Sequence, residues 1–162
     1  MKLGTKAQYA VMAMADLAFC ASQGPVRLTE IAQRQALPLA YLEQLFVKLR
    51  KKGLVKSARG YQGGYILAHT PDQLKISDII QAVEEKIKTT RCSIKSEVRC
   101  QGKSTKCLTH DLWAGLEANI EHYFRSVTLH DLCVPHPGSF LAVSSVSSVP
   151  FASPCVAERG HP

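Results

Sequence analysis

The sequence of 162 residues lacks the features of a membrane protein and of an enzyme. No apolar run approaches the roughly 18 residues that a membrane span requires, so we expect no membrane partner. No side chains are arranged as an acid–base pair or as a nucleophile with its base, so we expect no catalytic activity. The glycine-rich residues 60–64 lack the Gly-Lys-Ser/Thr ending of a nucleotide-binding loop, which excludes that kind of phosphate site.

The amino-terminal segment also lacks the features of an export signal. Leu17, Phe19 and Cys20 faintly resemble a lipoprotein cleavage site. However, Asp16 interrupts the apolar stretch, and the bulky Phe19 stands where a small residue is required. The same segment fits an amphipathic helix over residues 5–22. We therefore expect a cytoplasmic protein.

Acidic residues are too few to balance the basic residues in the first half of the chain. The whole chain carries 20 Lys/Arg and 13 Asp/Glu, which gives a formal charge of +7. Residues 1–91 carry 14 Lys/Arg and 7 Asp/Glu, whereas residues 92–162 carry 6 of each. All of the excess positive charge therefore lies in the first half, which indicates a polyanionic partner for that half.

Helical periodicity and turn residues predict a mostly α-helical chain that begins with a winged helix-turn-helix DNA-binding domain over residues 1–85. We expect the helix-turn-helix at about residues 28–51. Thr29 is the expected N-cap of its first helix, and residues 39–52 form the expected recognition helix, with Gly53 just past its end.

A hairpin and one more helix complete the predicted DNA-binding domain. Two short strand candidates flank the glycines and predict a wing at about residues 54–68. Ser77 is the expected N-cap of a helix that continues to about Glu85. This order of elements is typical of a winged helix-turn-helix.

Six side chains at the two ends of the recognition helix, and one at the wing tip, are the predicted DNA contacts: Tyr41, Glu43, Gln44, Lys48, Lys51, Lys52 and Arg59. Gln44 can pair with adenine, and Glu43 can accept a hydrogen bond from a cytosine amine. Residues 48–59 contain no acidic residue, which suits phosphate neutralisation. Tyr41 is expected to donate to a phosphate oxygen, and Arg59 to enter a minor groove. The alternative is that the lysines form only a solvated helix end.

A long helix with a wide apolar stripe is predicted near the carboxyl end. Thr109 is its expected N-cap, and residues 108–132 comprise this helix and a short terminal turn. A small winged domain offers no obvious second layer to cover the stripe, so we predict homodimerisation through Trp113, Leu116, Ile120 and Tyr123. The alternative is an ordinary intrachain core. Residues 133–162 contain many serines, valines and prolines, and predict a disordered tail.

Three cysteines and a histidine lie close together in the chain: Cys92, Cys100, Cys107 and His110. Clustered cysteines in a cytoplasmic protein are more often ligands than disulfide partners, so residues 86–110 predict a metal-binding loop. The cysteine gaps of seven and six residues exceed the short pairs typical of zinc sites and favour an iron–sulfur cluster. A structural zinc site on the same four donors remains the alternative.

Several short motifs match a known family over residues 1–132. They are residues 6–11 (KAQYAV), 41–46 (YLEQLF), 49–51 (LRK), 53–55 (GLV), 59–60 (RG), 63–65 (GGY), 91–92 (RC), 106–110 (KCLTH) and 112–113 (LW). With these motifs the chain resembles the iron–sulfur cluster assembly regulators, a family of winged-helix transcription factors. The Cys-Leu-Thr-His motif at residues 107–110 is the most specific of them.

The resemblance implies a homodimeric regulator that binds promoter DNA and controls iron–sulfur cluster assembly genes. It implies a 2Fe–2S cluster on Cys92, Cys100, Cys107 and His110, with the cluster-assembly machinery as the cluster donor. Occupancy would then order the loop and change the spacing of the two DNA-binding heads. The cysteine gaps are longer than the five residues common in the family. Relatives that sense nitric oxide through a 4Fe–4S cluster generally lack the Cys-x-x-His ending and remain an alternative.

Overall fold

A computed structural model describes residues 4–60, 63–84 and 108–134, and these residues form a mostly helical winged fold, which confirms the predicted fold class. The helices are α1 (Thr5–Phe19), α2 (Leu28–Gln35), α3 (Leu39–Lys51), α4 (Ile76–Ala82), α5 (His110–Ser126) and α6 (Leu129–Cys133). The strands are β1 (Val55–Ala58) and β2 (Gly64–Leu67), which pair antiparallel. None of the helices described is long and apolar enough to cross a bilayer. Residues 86–107 of the predicted metal loop and residues 135–162 of the predicted tail lie outside the described residues.

Helix α1 is central to the hydrophobic core, and α2, α3, α4 and α6 all pack against it. Its buried side chains are mostly small: Ala7, Ala10, Ala13, Met14, Leu17 and Ala18, with the carboxylate of Asp16 among them. Short side chains let neighbouring backbones approach closely. One helix can therefore hold the other elements of the winged fold together.

Asp16 joins α1 to α2 through a buried polar network. Its carboxylate accepts hydrogen bonds from Arg34 Nε at 3.1 Å, from Arg34 Nη2 at 2.7 Å and from Gln35 Nε2 at 2.9 Å. Asp16 is 5% exposed and is the one buried polar or charged residue in the part of the chain that the structure describes. The first helix of the helix-turn-helix is thus positioned by a two-pronged arginine–carboxylate contact.

The helix-turn-helix consists of α2, a tight turn and α3, close to the predicted residues 28–51. Ala36 ends α2 in the left-handed region, at φ 52°, and Gly53 follows α3 at φ 73°. The predicted N-cap at Thr29 is wrong, because α2 begins at Leu28 with Arg27 as its N-cap. Val26 pairs with Tyr65, and Arg27 is also extended, so the backbone becomes helical only from Leu28.

The wing is attached to the segment that precedes α2. Val26 N donates to Tyr65 O at 3.0 Å, and Tyr65 N donates to Val26 O at 2.8 Å. A Cβ atom at Gly64 would lie 2.5 Å from Val26 O, so this close approach requires glycine. The Tyr65 ring also packs edge-on against Phe46 of α3, with ring centroids 4.9 Å apart. The wing and α3 are therefore held in one unit.

Helix α4 is shorter than the sequence predicts. It begins at Ile76 with Lys75 as its N-cap, so the prediction of Ser77 as the cap is wrong. Lys75 pairs as a short bridge with Thr128, which keeps it extended up to the helix start. The helix ends at Ala82 rather than near residue 85, and Glu84 adopts a left-handed conformation with φ 61°.

The segment after α5 is fixed to the head by backbone hydrogen bonds. Ile76 N donates to Val127 O at 3.0 Å, and Leu129 N donates to Leu74 O at 2.9 Å. Thr128 and Asp131 form a capping box that starts α6. Cys133, which the sequence assigned to the tail, ends α6 and packs half-buried against α1, where burial raises the pKa of its thiol.

Candidate nucleic-acid interface

Helix α3 presents a buried face to the core and an outer face to solvent. Its buried side chains are Leu42, Leu45, Phe46 and Leu49. The two side chains predicted to read bases, Glu43 and Gln44, are both exposed near the start of the helix. A major groove is wide enough to admit a helix, and the N-terminal residues of a recognition helix meet the base edges. Both side chains therefore stand where such contacts are made.

Tyr41 is held more firmly than the sequence indicates. Its ring is half-buried and packs edge-on against Tyr9 of α1, with centroids 5.6 Å apart and planes at 86°. Such an edge-to-face contact is favourable for aromatic rings. It fixes the start of α3 against the central helix, while the phosphate contact predicted for the Tyr41 hydroxyl stays a prediction.

Lys48 has a partner that the sequence does not reveal. Its Nζ atom donates to Glu84 Oε2 at 2.6 Å, which ties α3 to the residues just after α4. This hydrogen bond, together with the charges of Lys48, Lys52 and Lys6, lowers the pKa of the exposed Glu84 carboxyl. The charge that we expected Lys48 to offer to a phosphate is already paired with a carboxylate. Glu84 lies 36 residues away in the chain, so no local pattern predicts this pair.

The remaining predicted basic contacts are exposed. Lys51 and Lys52 lie at the end of α3, and Arg59 follows β1 at the edge of the wing. Two further exposed basic side chains of the same run, Arg50 and Lys56, were not among the predicted contacts. The basic side chains of residues 50–59 therefore form a surface of exposed positive charge at the end of the recognition helix and along the wing, as phosphate neutralisation requires.

The outward face of α5 carries the side chains predicted for dimerisation. Trp113, Leu116 and Tyr123 are exposed, Ile120 is half-buried, and neighbouring Leu112 is 65% exposed. At 3.6 residues per turn these five side chains fall within an arc of about 100°. None of the residues of α5 is buried. Phe124, on the same helix, packs against the core.

His110 is the described member of the predicted metal-ligand set. It is the first residue of α5, it is half-buried, and Thr109 is the N-cap, as predicted. Cys92, Cys100 and Cys107 lie outside the described residues. Within residues 4–60, 63–84 and 108–134, no three His, Cys, Asp or Glu side chains group closely enough to hold a metal ion. Three thiolates and an imidazole form a soft donor set that suits an iron–sulfur cluster or zinc.

The sequence is similar to a family of known regulators. The Rrf2 family, described as an iron-dependent transcriptional regulator, matches residues 3–135. The HTH-type transcriptional regulator IscR of Aliivibrio salmonicida is 48% identical over 134 residues, which are 83% of this chain and 78% of that protein. The regulator of the same name from Sodalis glossinidius is 46% identical over 132 residues, covering 82% and 78% of the two chains.

Solved structures give the same result. The structure of T. potens IscR has a TM-score of 0.66 and 42% sequence identity, and it covers 82% of this chain and 85% of that one. CymR, the global cysteine regulator of B. subtilis, has a TM-score of 0.68 and 35% identity, with 82% and 96% of the two chains covered. The matches show that this chain belongs to the Rrf2 family and is an IscR-type transcriptional regulator rather than an enzyme.

Proposed function

We propose that the protein is a cytoplasmic homodimer that binds promoter DNA and adjusts transcription of iron–sulfur cluster assembly genes according to its own iron–sulfur cluster. One observation carries the DNA-binding part of this proposal. The exposed Glu43 and Gln44 of α3 lie close in the chain to residues 50–59, which carry five exposed basic side chains and no acidic one. A base-reading helix next to phosphate-neutralising charge is the arrangement that duplex recognition needs.

Each part of this surface has a distinct task in the proposed complex. Glu43 accepts from a cytosine amine and repels bases that offer only acceptors, so it contributes to discrimination between promoters. Gln44 pairs with adenine. Lys51 and Lys52 neutralise phosphates, and Arg59 approaches the minor groove from the wing. Lys48 makes a phosphate contact only if it leaves Glu84.

The apolar face of α5 supports the dimer. A solvent-facing arc of large apolar side chains on a 17-residue helix is unfavourable for a monomer. A twofold axis would bring Trp113, Leu116, Ile120 and Tyr123 of one protomer against the same residues of a second, which buries this face on both. The two α3 helices would then be placed at a fixed spacing on the DNA.

The proposed ligands of the 2Fe–2S cluster are Cys92, Cys100, Cys107 and His110. When bound, such a cluster supplies an oxidisable and labile iron centre, and a histidine ligand makes its retention sensitive to pH. His110 lies in the first turn of α5, where the positive end of the helix dipole favours an anionic group nearby. The cluster-assembly machinery is the proposed donor.

Helix α5 provides a physical link between the proposed ligand and the DNA-binding head. His110 begins the helix, and the segment after its last turn is held to α4 and its flanking residues through Val127 and Leu129. The dimer face lies between these two ends. Ordering or release of the segment before His110 would therefore bias how α5 is held, and with it the spacing of the two heads.

Anaerobic purification tests the proposal. We expect visible absorbance from a cluster, equal amounts of iron and acid-labile sulfide at two per protomer, a dimer by light scattering, and enrichment of a specific sequence from a random duplex pool. A colourless zinc protein would reduce the proposal to a zinc-stabilised regulator. Four irons per protomer would favour the nitric-oxide-sensing class. Absence of iron and sulfide after reconstitution would overturn cluster sensing, and failure to enrich any duplex would overturn DNA binding.

A further inference from the structure

Four side chains form the centre of the outer face of α3: Ala40, Gln44, Val47 and Lys51. At 3.6 residues per turn they fall within an arc of about 60°, directly opposite the buried face of the helix. All four are exposed. Glu43 and Arg50 lie to one side of this arc, while Tyr41 and Lys48 lie to the other. The middle of the outer face is thus occupied by one amide, one ammonium and two apolar side chains.

Val47 is the unusual member of this face. It is 40% exposed, although valine is among the residues most often buried. A β-branched side chain is also a poorer helix former than the lysine or glutamine that solvent-facing helical positions favour. Neither the core nor helix propensity accounts for valine here. A single exposed valine is ordinary on a protein surface, so what connects Val47 with a bound partner is its position at the centre of the outer face of α3, next to Gln44.

The surroundings of Val47 identify the chemistry of that complex. Gln44 lies one turn before it, and the exposed Arg50 and Lys51 follow it on the next turn. A partner protein that docks through apolar contacts needs a continuous apolar patch, and one valine among charged and amide groups does not supply one. In duplex DNA, by contrast, the major groove combines flanking phosphates with a single exposed apolar group, the C5-methyl of thymine.

We propose that Val47 is a specificity-determining residue that contacts a thymine C5-methyl group in the major groove. This inference rests on the proposed binding of DNA by α3. Side chains three residues apart on a helix are neighbours, about 5–6 Å between Cβ atoms, so Gln44 and Val47 reach the same or adjacent base pairs. Gln44 forms hydrogen bonds with the adenine, and Val47 makes an apolar contact with the methyl group of a thymine. Together they select an A·T pair at this position of each half-site.

Replacement of thymine by deoxyuridine tests the proposal, because it removes the methyl group alone. The full-length protein first selects its best duplex from a random pool. Each thymine of that duplex is then replaced in turn, and the affinity is measured by fluorescence anisotropy. In each half-site, we expect replacement of one particular thymine to weaken binding about fourfold. This is the change in affinity that corresponds to the free energy of burying one methyl group. Val47→Ala should bind the thymine and deoxyuridine duplexes equally.

A matched control is Val134→Ala, which truncates another exposed valine, 37% exposed, at the end of α6. It should keep the fourfold ratio. Equal binding of both duplexes by the unaltered protein at every position would overturn the inference while leaving DNA binding intact. A ratio that persists in Val47→Ala would also overturn it, since another residue then reads the methyl group. Failure to enrich any duplex would overturn the DNA-binding proposal and this inference with it.

Discussion

Removal of the Asp16 carboxylate should destabilise the DNA-binding head more than any other single charge change in the described residues. In Asp16→Ala, the buried guanidinium edge of Arg34 and the amide of Gln35 lose their acceptor. The same change removes the contact that holds α2 against α1. The helix-turn-helix would then be positioned only by hydrophobic packing and by the backbone pairing of Val26 with Tyr65.

The magnitude follows from the geometry of the pair. Breaking a buried ion pair by removing one partner costs about 3–5 kcal/mol. Arg34 keeps 20% of its side chain in solvent and has Glu30 Oε2 at 3.9 Å, so its charge is not stranded. We therefore expect Asp16→Ala to lower the free energy of unfolding by about 3 kcal/mol, the lower end of that range. For a domain of this size, such a loss lowers Tm by roughly 10 °C.

Urea unfolding followed by circular dichroism measures this loss directly. Asp16→Asn keeps the shape and can still accept from Gln35, so about half of the destabilisation should remain. Asp72→Ala, which removes an exposed carboxylate from a turn, is the control and should change stability by less than about 0.5 kcal/mol. The reasoning is refuted if Asp16→Ala loses no more than this control does.

The contribution of the Asp16–Arg34 contact to the free energy of unfolding should not vary near neutral pH. The hydrogen bond from Arg34 to Asp16, together with the attraction between their charges, raises the pKa of the guanidinium above its ordinary value. A raised pKa of a basic group adds stability below its unfolded-state value, and the added stability is lost only as the pH rises through the folded-state value. For arginine that window lies in strong alkali, so the effect of Asp16→Ala should be the same at pH 6 and pH 8.

Three further predictions concern binding and assembly. Glu84→Gln should release Lys48 to neutralise a phosphate, which strengthens DNA binding and steepens its dependence on salt by about one unit per protomer. His110→Ala should leave the fold intact but weaken cluster retention, measured as iron and visible absorbance after gel filtration. Trp113→Asp should convert the dimer to a monomer in light scattering, because a charge cannot be buried unpaired in an apolar interface.

Each of these has a control on α5. Glu121→Gln removes an exposed carboxylate paired with Arg125 at 2.6 Å and should leave the salt dependence unchanged. His122→Ala removes another histidine of the helix and should keep the iron. Ala118→Asp places a charge on the side away from the apolar arc and should keep the dimer. A variant that behaves like its control would contradict the role given to its residue.

The pH dependence of the Lys48–Glu84 pair has the opposite sign to that of Arg34. The pKa of Glu84 is lowered, chiefly by the hydrogen bond from Lys48, so the pair is complete above the ordinary pKa of a glutamate. It is lost as the pH falls through the lowered value. In acid, Lys48 of the unaltered protein should therefore be released and should strengthen DNA binding. In Glu84→Gln, Lys48 is released at every pH, so this pH dependence of the affinity should be absent.

The sequence alone determined the elements and their faces wherever the signal is local. Helix α3 was predicted at residues 39–52 and runs from Leu39 to Lys51, because the spacing of its apolar residues reports which side is buried. The glycine after α3 and the threonine before α5 mark helix ends through backbone preferences of single residues. The exposure of the proposed base-reading side chains and of the basic side chains follows from the same periodicity.

The tertiary structure alone decided which distant residues meet. The starts of α2 and α4 are limited by Val26 and Lys75, which pair with Tyr65 and Thr128, far along the chain, and remain extended. Neither the Asp16–Arg34 contact nor the Lys48–Glu84 pair leaves a local pattern, since each depends on how packed helices are arranged in space. A periodic pattern shows that a side chain is buried or exposed, whereas its partner is chosen by the fold.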